Sequence, residues 1–209
     1  MRSWVLRGLR KGVVTTSFPA KEAEDAPPWS TRPVRRKKGD VSCPVNAVRG
    51  DSVDMCRCIS CGRCSPQFEP ELSISTAVVN RTASEFSRSF HVYIIDTGSC
   101  GACNTEVHAL SNPVYDFNRL GIFFTNTPRH ADALLILGVL AKGMEDVLLE
   151  AYNAMPSPKI VIAAGACAIS GGVMGNAVTE RIHADILVPG CPPGPFTILD
   201  ALIRARGKQ

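Results

Sequence analysis

The sequence predicts an α/β domain, an open and doubly wound parallel sheet, with a small cysteine-bearing segment in front of it. Three observations predict this. From residue 91 onward, compact apolar runs alternate with stretches of helical periodicity. The runs are continuously apolar, as strands covered on both faces are, and not alternating. Four of the nine cysteines fall just after such runs, at the edge where open α/β sheets bind their ligands.

Each element has its own warrant. Strands are predicted over 91–96, 120–124, 133–137, 159–163 and a short fifth over 184–188, each bounded by Gly, Pro or polar residues. Helical patterns follow over 104–110, 144–155 and 196–206. In the last, Phe196, Ile198, Leu199, Leu202 and Ile203 share one face. Strand and helix alternate, so crossover helices covering a parallel sheet are the economical solution. There is no internal repeat.

The first ninety residues read differently. Residues 1–40 form a basic arm containing Pro27, Pro28 and Pro33, with little core of its own. Residues 4–11 are either a short amphipathic helix or a frayed basic end. The run Arg35-Arg36-Lys37-Lys38 is either solvated or a contact for anionic lipid or a partner. Residues 41–66 carry the other five cysteines, and residues 67–90 read as a polar, turn-rich connector.

Composition bounds the chemistry. The chain has 209 residues, 45% hydrophobic and 20% charged, enough for one domain with a core plus an appendage. Collagen-like, coiled-coil and wholly disordered classes are excluded. A net charge of +4 gives no indication of nucleic-acid binding. Nine cysteines would leave one over from a complete disulfide framework. The first residues do not form a secretory signal, and Arg35-Arg36 is not followed by the apolar run of an export signal. The best apolar run, residues 133–141, is about half of what a bilayer requires. A cytosolic chain with this many cysteines points to metal or redox chemistry.

The second-half cysteines are Cys100 and Cys103 in Gly98-Ser-Cys-Gly-Ala-Cys103, Cys167 in Gly165-Ala-Cys-Ala-Ile-Ser-Gly-Gly172, and Cys191 in Pro189-Gly-Cys-Pro-Pro-Gly194. Four thiolates in a glycine-rich setting suit zinc or an iron–sulfur cluster. Zinc sites more often use paired C-x-x-C knuckles. One such pair with two lone, distant cysteines favours a cluster. Asp96 and Thr97 are placed to shape the first loop, and Pro192 and Pro193 to stiffen the last.

The first-half cysteines include Cys58-Ile-Ser-Cys61-Gly-Arg-Cys64, the C-x2-C-x2-C opening of a bacterial ferredoxin motif. The fourth ligand of such a site is a Cys-Pro from another motif, and Cys43-Pro44 stands upstream. Cys43, Cys58, Cys61 and Cys64 thus complete one [4Fe-4S] site, with structural zinc as the alternative. Cys56 is left over, as a bystander or a competitor of Cys58.

The segments around Cys100, Cys103, Cys167 and Cys191 resemble the small-subunit family of membrane-bound, group 4 [NiFe]-hydrogenases. That family includes the small subunits of formate hydrogenlyase and energy-converting hydrogenases, and is homologous to the complex I 20 kDa subunit. The resemblance covers roughly residues 88–204. It implies a flavodoxin-like fold and one [4Fe-4S] cluster held by Cys100, Cys103, Cys167 and Cys191. The complex I branch typically has adjacent cysteines at the first position. Cys100-Gly-Ala-Cys103 has the hydrogenase spacing. Residues 6–19 and 41–66 resemble part of the ferredoxin-like subunit of the same complexes, as a truncated arm fused to the main domain.

The resemblance implies an electron-transfer subunit with its nickel–iron site in a separate large subunit. Its other implied partners are a ferredoxin-like or formate-dehydrogenase electron partner and the membrane subunits of the complex. The expected location is cytoplasmic, peripheral on the inner face of the cell membrane. Two alternatives stay open: a complex I-like quinone-reducing subunit and a zinc-stabilised interaction module. Glu106 is either a proton-passing group by resemblance or a carboxylate favoured by a helix N-terminus. His91, His108, His130 and His183 are scattered without metal spacing and are assigned no role.

Overall fold

The computed structural model describes residues 4–12, 14–20 and 31–207. The Pro27-Pro28 stretch of the arm lies outside these residues. Ten strands are described: β1 (Thr31–Arg35), β2 (Val48–Arg49), β3 (Ser52–Val53), β4 (Phe68–Leu72), β5 (Val78–Val79), β6 (Phe90–Asp96), β7 (Ile122–Thr125), β8 (Ala133–Leu137), β9 (Ile160–Ala164) and β10 (Ile186–Val188). The main sheet runs β5-β10-β9-β8-β6-β7. β7, β6, β8, β9 and β10 are parallel. Counted from β6, the parallel order is 2-1-3-4-5, the flavodoxin-like order, with its switch point between β6 and β8.

Burial explains the continuous apolar runs. All residues of β8 and β9 are buried. On one face, Val92, Leu135, Leu137 and Ile162 pack with the helices Ala102–Ala109 and Pro195–Ala205. On the other, Leu134, Ile136 and Val161 pack with Leu148 and Ala151 of the helix Met144–Ala154, and with Ala168 and Ile169 of the helix Ala166–Ser170. The predicted doubly wound sheet is the observed one, with boundaries shifted by a residue or two.

Two stretches do more than their composition promised. Residues 67–90 supply β4, which pairs antiparallel with β1, and β5, which extends the main sheet antiparallel along β10. The basic arm reaches the core at Phe18, fully buried and edge-on to Phe196 at 5.5 Å. The Thr16 amide donates to the Val114 carbonyl at 2.8 Å, and Arg119 donates to the Phe18 carbonyl at 3.3 Å. One aromatic side chain finds a cavity made by distant elements, which no local pattern signals.

The residue after the last helix is a buried cation. The Arg206 guanidinium donates to the carbonyls of Phe86, Ser87 and Leu120. Desolvation lowers its pKa from the ordinary value, but three carbonyl partners satisfy a charge that burial would otherwise leave costly.

Candidate functional site

The loop after β6 is built around one carboxylate. Asp96 Oδ1 accepts from the amides of Gly98 at 2.9 Å and Ser99 at 2.7 Å. Its Oδ2 accepts from Ser99 Oγ at 2.7 Å and from the Asn104 amide. Burial pushes this carboxyl up, but the Ser99, Gly98 and Asn104 donors outweigh it and hold it below the usual range. The loop is pressed against the end of β8. Gly138 has φ +84, and a Cβ there would meet the Ser99 nitrogen at 2.4 Å, so only glycine lets the two backbones approach.

Cys100 is exposed in this loop, and Cys103 is buried in the first turn of the helix Ala102–Ala109. Cys167 lies in the helix Ala166–Ser170 after β9, and Cys191 follows β10. The last two loops are tied together. Gly165 donates to the Val188 carbonyl at 2.9 Å and Ala166 to the Gly190 carbonyl at 2.8 Å. A Cβ on Gly165 would lie 2.8 Å from the Cys103 sulfur. The missing side chain there is what lets the β9 loop close on that thiol.

The four thiols share one field. Burial pushes Cys103 up to about 12, assisted by Cys167, Cys191, Cys100 and Asp96. Burial also raises Cys167, with Cys100 contributing. Cys191 is raised by burial, then by Cys167, Cys100 and Cys58. Without a bound cation, the thiols of Cys103, Cys167 and Cys191 therefore keep their protons. A cationic iron centre would reverse that balance, because a coordinating thiol is deprotonated outright. The shared edge, the mutual coupling and the cradle at Gly165 fit a cluster held by these four residues.

The second group belongs to the segment of β1–β4. Cys43, Cys58, Cys61 and Cys64 all line one cavity of about 280 Å³, walled by Val48, Val53, Met55 and Phe68. Amides aim at its sulfurs: Ala47 N–H at Cys43 Sγ, 3.2 Å, and Ser60 N–H at Cys58 Sγ, 3.4 Å. Burial pushes Cys43 up, but the amides of residues 45–48 outweigh it and the net shift is downward. Cys58 and Cys64 are raised, mainly by burial. Among the described residues, no three His, Cys, Asp or Glu side chains converge closely enough to hold one metal ion. The thiols line the cavity instead.

Cys56 is not part of that lining. It packs against the apolar cluster on the second face of the main sheet, and burial, then Asp54, raises its thiol.

The two groups meet at a seam that sequence reasoning missed. A second cavity, about 240 Å³, is lined by Met55 and Ser60 from the segment of Cys43, Cys58, Cys61 and Cys64 and by Gly190, Pro192, Pro193 and Thr197 from beside Cys191. Glu106 also lines it. Glu106 is the fifth residue of its helix, beyond the first turn, so a helix-terminus role does not account for it. Burial raises its carboxyl pKa. No short-range pattern links Met55 to Pro193; the nearest signal is that both flank predicted ligands.

Known proteins match this architecture. The family model described as NADH ubiquinone oxidoreductase, 20 Kd subunit, matches residues 100–205. The probable membrane-bound hydrogenase subunit mbhJ of Pyrococcus furiosus is 43% identical over 128 residues, covering 58% of this chain and 76% of that protein. The NAD(P)H-quinone oxidoreductase subunit K of a Synechococcus species is 33% identical over 169 residues, covering 75% and 69%. Among solved structures, a chain of the archaeal membrane-bound sulfane sulfur reductase superposes with TM-score 0.51 at 26% identity. That superposition covers 59% of this chain and 71% of the other.

Proposed function

The chain belongs to the NADH ubiquinone oxidoreductase 20 kDa subunit family, and on that premise we propose that it is the iron–sulfur electron-transfer subunit of a membrane-associated [NiFe]-hydrogenase complex. It would relay electrons between a nickel–iron site in a large subunit and a ferredoxin-like or formate-linked partner. Cys100, Cys103, Cys167 and Cys191 would hold one [4Fe-4S] cluster, and Cys43, Cys58, Cys61 and Cys64 a second. Bound clusters supply one-electron transfer at potentials set by charge, burial and hydrogen bonds to sulfur.

The observation that carries this reading is the seam. Met55 and Ser60 on one side and Pro192 and Pro193 on the other bring the two cysteine groups together around one small cavity. An isolated zinc staple would not call for a second cysteine group beside it.

The chain's own residues divide the remaining work. Asp96 fixes the loop that presents Cys100. The Ala47 and Ser60 amides donate to sulfur, which favours negative charge on it. Glu106 holds its proton to higher pH than an ordinary glutamate, at the seam. The Cys100-Gly-Ala-Cys103 spacing supports the hydrogenase branch.

A complex I-like quinone-reducing subunit is the second reading, supported by the likeness to the cyanobacterial subunit K. Among the described residues no helix is long and apolar enough to cross a membrane. Partner subunits would provide the spans.

Elemental analysis of the complex that co-purifies anaerobically with this chain tests the reading. Nickel, with about eight irons per copy beyond those of the partners, is the expected result. Iron without nickel would move the assignment to the quinone-reducing relative. Zinc in place of iron would overturn both.

A further inference from the structure

The helix Trp4–Lys11 buries none of its residues. Trp4 is 83% exposed, Leu9 75% and Leu6 59%. At about 100° per residue, Trp4, Val5, Leu6, Gly8 and Leu9 occupy one half of the helix surface. Arg7, Arg10 and Lys11 occupy the other. A helix of this kind in a globular protein turns its apolar stripe to the core. Here, among the described residues before Thr31, the buried ones are Thr16 and Phe18, both beyond the helix.

The charge says what covers this face. Residues 1–20 contain Arg2, Arg7, Arg10 and Lys11 and no acidic residue. The polar half of the helix consists of cations alone, without a Ser, Thr, Asn or Gln. A groove on a protein would have to supply a matching row of carboxylates beside an apolar slot. An anionic lipid surface presents both, headgroup phosphates above and acyl chains below. A tryptophan and leucines opposite arginine and lysine form the pattern of helices that lie in that interface.

We propose that the helix Trp4–Lys11 lies in the interface of an anionic lipid bilayer. Trp4, Leu6 and Leu9 enter the acyl boundary, and Arg7, Arg10 and Lys11 meet the phosphates. The proposal rests on the membrane-associated reading above and supplies the chain's own means of contact with the membrane. Eight residues are about 12 Å of helix, so the attachment is weak and reversible, and adds to that of the partner subunits.

Vesicle flotation of the complete chain, purified anaerobically with its cysteine sites loaded, tests this. The expected result is binding to phosphatidylcholine vesicles containing phosphatidylglycerol, with little binding to phosphatidylcholine alone. Arg7→Gln with Arg10→Gln and Lys11→Gln should weaken that binding on the order of 100-fold. Leu6→Glu with Leu9→Glu should abolish it. Both variants should keep the iron content of the parent, since no residue of the helix lines either cavity beside the cysteines, and that content reports folding. Vesicle binding unchanged in the Leu6→Glu, Leu9→Glu variant would overturn the proposal. So would release of the large subunit by that variant while the parent ignores vesicles, which would make the helix a protein contact. Either result leaves the hydrogenase reading standing, because nickel and iron analysis decides that one separately.

Discussion

The two cysteine groups are built by opposite means. Cys100, Cys103, Cys167 and Cys191 stand at the ends of three parallel strands that are separated in sequence by the helices covering the sheet. Cys43, Cys58, Cys61 and Cys64 sit in short loops within 22 residues, around a cavity with a small wall of its own. In the first group the sheet fixes where each thiol stands, and the backbone must thin to glycine for the loops to close. In the second, local spacing and amides aimed at sulfur do most of the work. Strand ends give precision; short-range motifs give economy and leave Cys61 at the surface.

The sharpest test of this contrast replaces one thiol in each group. Cys103→Ser removes the buried member of the sheet-edge group and should abolish turnover of the complex, with loss of one cluster's paramagnetic signal. Cys61→Ser should erase only the other signal. If each substitution removed both signals, the two groups would not be independent.

Gly165→Ala asks whether the first group depends on its scaffold. The added methyl meets Cys103 Sγ at 2.8 Å, at a φ of +93. A cost of roughly 1–3 kcal/mol is expected, with reduced iron in the first group and normal iron in the second. Equal occupancy of both groups in the variant would show that the β9 loop has room to spare.

Asp96→Asn probes the loop without touching a thiol. Removing an acceptor of backbone and side-chain donors should cost about 1 kcal/mol. The sign of the pH dependence follows from its direction of shift. The folded carboxyl lies below 3.8, so its contribution is fully present above that value. It fades as pH falls through the depressed folded value. Thermal melts across that acidic window should converge for parent and variant, while the gap at neutral pH stays.

Cys56→Ala is the smallest perturbation. Cys56 faces the apolar side of the main domain and not the cavity. Iron content and both signals should be unchanged, with a stability loss under about 1 kcal/mol. Loss of the second signal would make Cys56 a ligand and return Cys58 to the bystander role.

Much of the fold was legible in the sequence because burial on both faces leaves a plain mark. The run 133–137 is apolar throughout and 159–163 is so after Lys159; the strands found there, Ala133–Leu137 and Ile160–Ala164, are buried at every residue. The positions of the second-half cysteines were legible for the same reason, since each follows a predicted apolar run, 91–96 for Cys100 and Cys103, 159–163 for Cys167 and 184–188 for Cys191. The ferredoxin-like spacing of Cys58, Cys61 and Cys64, with Cys43-Pro44, named the four thiols that now line one cavity.

What only the tertiary structure decided is long-range. Phe18 belongs to the core because Phe196 and Tyr115 lie beside one another near it, and nothing in the arm announces that. Val78 and Val79 join the sheet because β10 offers a free edge. Gly138 serves the Cys100 loop from the end of β8. The seam of Met55, Ser60, Glu106 and Pro193 exists only once two separately encoded groups are pressed together. Periodicity and motif spacing record what a residue needs of its near neighbours and of water. They carry no record of which distant surface it will meet.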